Sequence, residues 1–458
     1  MHENRSPWLH QLNLTREINT LKSDIETDIV VVGAGIAGVS TAFFLLQNTD
    51  KKVTLVESDR VAHGASGHNG GQAVSYFERE LHELVGVFGL QKATEGQRAI
   101  EEDSWKLLDE MYTNANLDIP MSRFTGYTGI VDYHHVLEAL ENNRYRVEGG
   151  INPERLLISD KAEYLSKIDD KYSGLYEIVP EEELLGFLET NNKAFTAAFS
   201  SQKGCFNSAL LCNEMITFFY KKYPERFELY ERTPVQKIIF KPDYVLIDAT
   251  TNTITCKKVV LCTNGFETVT LIGEGGLEMN RKFHAEIQGY VGYMSAYFEE
   301  MNKPPTAIGY IESNEKELSH DDLQYYYVTR RPYEFNKGQK FNMISVGGPG
   351  HFIDHHKLYD RYKPYPQEKI DEIDAFLKRN YEYDEDEQNI EYKFTWHGLM
   401  GYTKNRVRLI GFDPADDKLL YNLGCNGVGL MPSIYGGWKV AEMIKGVKFP
   451  PAMFDPYI

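Results

Sequence analysis

Residues Asp28 to Gly38 read DIVVVGAGIAG, and the run KVTLVE that follows ends in Glu57. A short β-branched stretch runs into G-x-G-x-x-G, with Gly33, Gly35 and Gly38 in the glycine positions. A helical pattern follows from Ile36 to Gln47. A second strand then delivers an acidic residue roughly 20 positions on, the spacing of a dinucleotide-binding βαβ unit. Each part has a physical job. Gly33 permits the tight turn, Gly35 lets backbone approach a pyrophosphate, and Gly38 lets helix and strand pack closely. The helix N-terminus, at Ile36 and Ala37, offers N–H groups and a positive dipole end to phosphate. Glu57, with Ser58 beside it, can accept hydrogen bonds from an adenosine ribose. A lone GxGxxG says little; the ordered series strand, GxGxxG, helix, strand, Glu says much more.

The chain has 458 residues, enough for two domains or one large discontinuous one. Its net charge of −18 argues against nucleic acid and against an anionic membrane surface as partners. Five cysteines, none in a CxxC pair, fit free thiols in a reducing cytoplasm better than a disulfide framework or a zinc site. Ile29 to Leu46 is apolar, but its three glycines, Ser40 and Thr41 read as strand, turn and helix, not as a membrane span. The first 27 residues are polar, with no apolar core of a signal peptide.

Glu78 to about Met111 has a helical period, and Met121 to Val136 reads as short strands around Gly126 and Gly129. Leu156 to Leu188 reads as helix and loop. Phe195 to Cys205 reads as a strand entering a helix, Leu210 to Lys222. FELYERTPVQKIIF, ending at Phe240, gives two strands, and Tyr244 to Cys256 a hairpin. KVVLCTNG, ending at Gly265, is a buried strand and polar turn. Strands of another sheet are expected at His284 to Tyr297, Leu323 to Arg331 and Phe341 to Val346, the last stopped by Gly347-Gly348-Pro349-Gly350. A helix over Gln367 to Arg379 precedes an acidic loop, Tyr381 to Glu387. Two short strands and a helix, Ser433 to Ile444, close the chain.

The fold class expected is α/β: a dinucleotide-binding, Rossmann-like cofactor domain with an inserted strand-rich α+β substrate domain. Residues 24–115, 195–280 and 395–458 are assigned to the cofactor domain, and 116–194 and 281–394 to the substrate domain.

At Gly64 to Gln72, GASGHNGGQ, the chain resembles the flavin-dependent D-amino-acid oxidase superfamily, which includes glycine and sarcosine oxidases and γ-glutamylputrescine oxidoreductases. The last of these carry a similar GASGRNGG stretch, with His68 here replacing the arginine. SPWLHQL at Ser6 to Leu12 resembles the family's N-terminal arm. ERTPVQKI, VVLCTNGF, WHGLMGYTKNRVRLIG and LGCNGVGLMPSIYGG resemble its further cofactor segments. The resemblance implies FAD. Gly64, Ala65, Ser66, Gly70 and Gly71 would let backbone approach the ring, with Asn69 and Gln72 adding hydrogen bonds. Val235 would meet the adenine, and Thr263, Asn264 and Gly265 would follow the next strand. Gly401, Gly427, Val428, Gly429, Leu430 and Met431 would approach the pyrimidine side. Met400 stands where some relatives attach flavin through cysteine, so the FAD is expected to be non-covalent. Asn207-Ser208 replaces the family's histidine–proline.

The resemblance also implies oxidation of the CH–NH bond of a small amine or amino acid, by hydride transfer to flavin N5. A γ-glutamyl polyamine is the preferred substrate, with oxygen or another acceptor taking the electrons. No metal is needed. The alternatives are a dehydrogenase using an acceptor other than oxygen, or a flavin-binding protein with a binding or assembly role. His68, Gln288, Tyr327 and His397 are the catalytic candidates; His68 because it could titrate near neutrality. Tyr325 to Tyr327 alternate on a strand, so some of them should face the pocket. Arg330 and Arg331 are candidates for a substrate carboxylate.

Overall fold

The computed structural model describes residues 3–13, 15–265, 269–276, 287–312, 324–354, 359–381 and 390–456. Three sheets organise them. In the first, six strands lie in the order Leu409–Phe412, Leu419–Leu423, Lys258–Leu261, Ile29–Val32, Val53–Val56 and Phe227–Tyr230. All neighbours are parallel except the first pair. The strands therefore come from the start, middle and end of the chain. Ile29–Val32 is buried at every position, as a central parallel strand covered on both faces must be.

The helix Ile36–Asn48 leaves this strand and is buried along most of its length. It packs against the last helix, Leu430–Lys445. A Cβ at Gly437 would stand 2.7 Å from the Ser40 hydroxyl and from the Thr41 amide, so the small residue there sets how closely the two helices approach.

The next strand in sequence, Val53–Val56, lies on one side of Ile29–Val32, and Lys258–Leu261 lies on the other. The chain thus turns opposite ways at the carboxyl end of the central strand. In open α/β sheets, such a switch point opens the ligand crevice.

The second sheet has ten strands, among them Met121–Ile130, Ala197–Phe206, Gln288–Glu299, Thr306–Glu312, Gln324–Asn336, Gln339–Ile353 and Phe394–Tyr402. A smaller five-stranded sheet contains the Val245–Ala249 and Asn252–Cys256 hairpin. No helix among the described residues is long and apolar enough to cross a membrane.

Three stretches differ from the sequence expectation. Arg155–Ser159 and Glu177–Val179 are strands of the second sheet, where helix and loop were expected. Met121–Ile130 is one long strand, and a helix, Tyr133–Glu148, begins where short strands were expected. Asp132 caps it by accepting from the His135 amide at 3.0 Å. The strand Gln339–Ile353 does not stop at the glycines but runs through them. There the glycines make room for neighbours: a Cβ at Gly347 would stand 2.5 Å from the Tyr327 ring, and one at Gly350 would strike Tyr290. Residues 284–286 of the expected strand, and 382–387 of the acidic loop, lie outside the described residues.

Candidate active site

A cavity of about 770 Å³ runs from the switch point of the first sheet to the face of the second. Gly33, with φ +102°, turns out of the central strand, and its amide donates to Val56 O at 2.7 Å. A side chain at Gly33 would stand 2.7 Å from Cys262 O, and one at Gly38 would strike Gly33 O. Gly38 therefore lies behind the wall, and Gly33, Gly35, Ile36 and Ala37 line it.

Glu57 sits at the cavity edge. Its Oε2 accepts from the Ala34 amide at 2.8 Å, and its Oε1 from the Asp59 amide at 3.0 Å and the Ser58 hydroxyl at 3.1 Å. A carboxylate has about four lone-pair sites, so these three bonds leave one for a ribose hydroxyl. Burial pushes its pKa up, against the pull of the two amides. Val235 and Thr263 line the same end.

The second glycine-rich stretch folds over this cradle as a turn of 3₁₀ helix, Ala65–Gly67. Gly64, Ala65, Ser66, His68, Asn69, Gly70 and Gln72 line the cavity, and Gly71 does not. The Ser66 hydroxyl accepts from the Ile36 amide at 2.8 Å, which ties the stretch to the first helix N-terminus. A Cβ at Gly35 would come 2.9 Å from that hydroxyl.

Asn69 stitches the loop itself. Its Nδ2 donates to Ser66 O at 2.8 Å and to the Ser208 hydroxyl at 2.7 Å, and its Oδ1 accepts from the Gly71 amide at 2.7 Å. Its carbonyl accepts from the indole N–H of Trp8 at 2.6 Å and of Trp396 at 3.2 Å. Gln72 Nε2 donates to Thr329 Oγ1 at 2.6 Å.

The third wall comes from the chain's end. Gly427, Val428, Gly429 and Leu430 line the cavity at the N-terminus of the last helix. Asn264, with φ +62°, accepts the Cys425 amide on its Oδ1 at 2.8 Å and holds this turn. Gly401, Gly265 and Met431 do not line the cavity; a Cβ at Gly401 would strike Asn264 O.

Arg408 does line it, and the sequence reading missed it. Its guanidinium donates to Asn422 Oδ1 and O and to Gly424 O, all neutral partners. Burial brings its pKa down to about 10, so it stays charged at neutral pH.

The catalytic candidates separate. His68 lines the cavity, and its Nδ1 lies 3.0 Å from Gly64 O. Burial brings its pKa down to about 4, helped by the neighbouring Arg361, so it does not titrate near neutrality as its residue type suggests. Tyr327 and Tyr325 line the cavity. Tyr326 points to the opposite face and stacks on Phe376 at 4.3 Å.

Gln288 is exposed at the start of its strand and is absent from the cavity wall. His397 is buried outside the wall, with Nε2 at 3.0 Å from Lys363 O and Nδ1 at 3.2 Å from the Tyr359 hydroxyl. Arg330 and Arg331 are corrected too. Arg330 is held by Glu189 in a bidentate pair at 2.6 and 2.7 Å, and Arg331 is buried over Trp8; neither reaches the cavity.

The chamber beside the third wall is aromatic and acidic. Tyr402 and Glu78 abut Gly427, and Tyr76, Tyr290, Glu138 and Glu154 line the cavity with them. Tyr402 donates to Glu78 at 2.6 Å. The carboxylates come from stretches with no motif. Two helix N-termini, an acidic residue at the ribose position and a glycine-lined wall at one end, joined to an aromatic chamber, fit an extended dinucleotide with a flat ring.

A family model described as FAD dependent oxidoreductase, DAO, matches residues 28–443. The probable oxidoreductase OrdL of Haemophilus influenzae is 24% identical over 262 residues, 57% of this chain and 54% of that protein. The γ-glutamylputrescine oxidoreductase of Escherichia coli is 36% identical over 75 residues, 16% of this chain and 17% of that protein. The chain thus spans about half or less of the length of these curated relatives. The L-proline dehydrogenase of P. horikoshii superposes with a TM-score of 0.68 at 18% identity, covering 95% of this chain and 98% of that one, a likeness of fold.

Proposed function

The chain belongs to the DAO family of FAD-dependent oxidoreductases, and from that premise we propose that it oxidises the CH–NH bond of an amine or amino acid. One observation carries this reading: a single cavity joins the dinucleotide cradle to a chamber of tyrosines and carboxylates. Aromatic faces and carboxylates favour a cationic nitrogen compound over an anion. A γ-glutamyl polyamine is our preferred substrate, supported by the GASGHNGG stretch and by the short segment shared with the E. coli enzyme.

Gly33, Gly35, Glu57 and the Leu430 helix N-terminus would hold the FAD. When bound, FAD accepts a hydride from the carbon next to nitrogen. The protein's own work is placement and charge. Tyr325 and Tyr327 exclude water and shape the chamber. The charged Arg408 and the last helix N-terminus form a positive wall where a reduced, anionic cofactor is favoured. We propose the division at 115, 194, 280 and 394 for the cofactor and substrate segments, with the strands Ala197–Phe206 and Phe394–Tyr402 entering the second sheet from the cofactor segments.

Anaerobic titration tests the reading. Amine substrates should bleach the flavin absorbance, and mixing with air then shows whether oxygen is the acceptor. A flavin bound but bleached by no amine or amino acid would leave only a binding role.

A further inference from the structure

We propose that Glu154, with Tyr76 and Tyr325, forms a subsite for a second ammonium group, at the end of the substrate farthest from the dinucleotide cradle. This deepens the amine-oxidising reading and rests on it.

Glu154 lies between the helix Tyr133–Glu148 and the strand Arg155–Ser159, and its side chain lines the chamber. Its amide is taken by Asn143 Oδ1 at 2.8 Å. Its carboxylate has no hydrogen bond or ion pair among the described residues, although two cations are near. Both are turned elsewhere. Arg146 is committed to Glu101 in a bidentate pair at 2.7 and 2.8 Å, and its Nε to Asn152 O at 2.7 Å. Lys203 Nζ faces Thr128 Oγ1 at 3.4 Å and Tyr127 O at 3.5 Å. Burial raises the pKa of this unpartnered cavity carboxyl, and an ammonium beside it would favour its charged form.

The surroundings suit an ammonium. The Tyr76 and Tyr325 hydroxyls are hydrogen-bonded to each other, and the Tyr325 and Tyr327 rings lie 5.8 Å apart. These faces attract a cation through their quadrupoles. Glu138 lines the same end, so a substrate ending in a carboxylate alone would meet repulsion there, whereas the amino-acid head of a γ-glutamyl group still presents an ammonium.

The probes are 1,4-diaminobutane, butylamine and 4-aminobutanoate, which share a four-carbon chain and end in ammonium, methyl and carboxylate. Each is titrated against the FAD-loaded protein, anaerobically, and followed by perturbation and bleaching of the flavin bands. The diamine should half-saturate at a concentration at least about tenfold lower than the other two, the equivalent of one charged hydrogen bond. Glu154→Gln should erase that preference, and the FAD released from the variant by acid reports that it still folds around its cofactor.

Equal responses to the three wild-type titrations, or a preference for 4-aminobutanoate, overturn the proposal even if the variant does not fold. So does a diamine preference that survives in Glu154→Gln. If no probe bleaches the flavin, none of the three is a substrate, and the oxidation reading is decided separately by titrating γ-glutamyl polyamines and amino acids. A diamine-selective band perturbation lost in Glu154→Gln would still uphold the subsite, and its absence would overturn it.

Discussion

His68 occupies the position of an arginine in the γ-glutamylputrescine oxidoreductase-like stretch, yet its charge state is the opposite. With its Nδ1 proton directed to Gly64 O, its Nε2 is an acceptor. Burial holds its pKa near 4, against 6.5 in an open chain. The unfolded chain therefore binds more protons than the folded one between pH 6.5 and 4. Stability must rise with pH across that window and level off above it. At pH 5 the cost is about 2 kcal/mol, and below pH 4 on the order of 3 kcal/mol. His68→Gln, which titrates nowhere in this range, should flatten the fall in melting temperature between pH 7 and 5. An acid slope identical to that of the wild type would mean that His68 is already charged in the folded protein. His68→Arg should place a permanent cation where the fold keeps a neutral ring, and so lower FAD content. The sequence shows which residue stands here; only the walls around it decide that it is neutral.

The N-terminal helix, Pro7–His10, carries the flavin-side loop on its single indole. Trp8 is fully buried, its Nε1 donates to Asn69 O, and Gly71, with φ +70°, presses on its ring. Asn207 fastens the arm by donating to Trp8 O at 3.1 Å and to Gln11 Oε1 at 3.0 Å, and it caps its own helix by accepting from Leu210 N. Ser208 donates to Ser66 O at 2.6 Å. The Asn207-Ser208 departure thus joins the arm, the loop and a helix start. Trp8→Ala removes a buried aromatic, a loss of about 3–5 kcal/mol, and leaves the loop without its prop. FAD affinity, followed by fluorescence quenching on adding FAD to apoprotein, should fall by at least about tenfold. A lower melting temperature with unchanged affinity would make the arm a stabiliser only. At this scale the βαβ unit and the tyrosine alternation were legible, because both follow from period and spacing. The strand through Gly347 to Gly350 was not. Its glycines answer to tyrosines on neighbouring strands, which no local pattern reveals.

Across the whole molecule, the cofactor wall is assembled from distant parts of the chain: Gly33 to Glu57, Gly64 to Gln72, Val235, Thr263 and the segment from Met400 to Ser433. The motifs announce these pieces because each meets the same ligand. The substrate end carries no such motif, which is why Glu138 and Glu154 emerged only from the fold; Arg408 lies inside a cofactor segment, but its place in the wall depends on Asn422 and Gly424 across the turn. This assembly also bears on how FAD is held. Met400 lines the cavity at the position where some relatives have an attaching cysteine, and a thioether cannot be made there. Two thiols do line the wall, Cys262 and Cys425. Attachment needs a thiolate. Burial pushes the Cys425 pKa up, its sulfur facing Gly401 O at 3.9 Å, so the reactive form is suppressed despite the nearby Arg408. Cys262 sits at the strand end beside Gly33, with Thr41 Oγ1 3.7 Å from its sulfur, at the cradle and not the chamber. Acid precipitation should therefore leave a colourless pellet and all of the yellow in the supernatant. Yellow retained in the pellet would show a covalent bond, and its disappearance in Cys425→Ala would place that bond on the one thiol within reach of the Met400 strand.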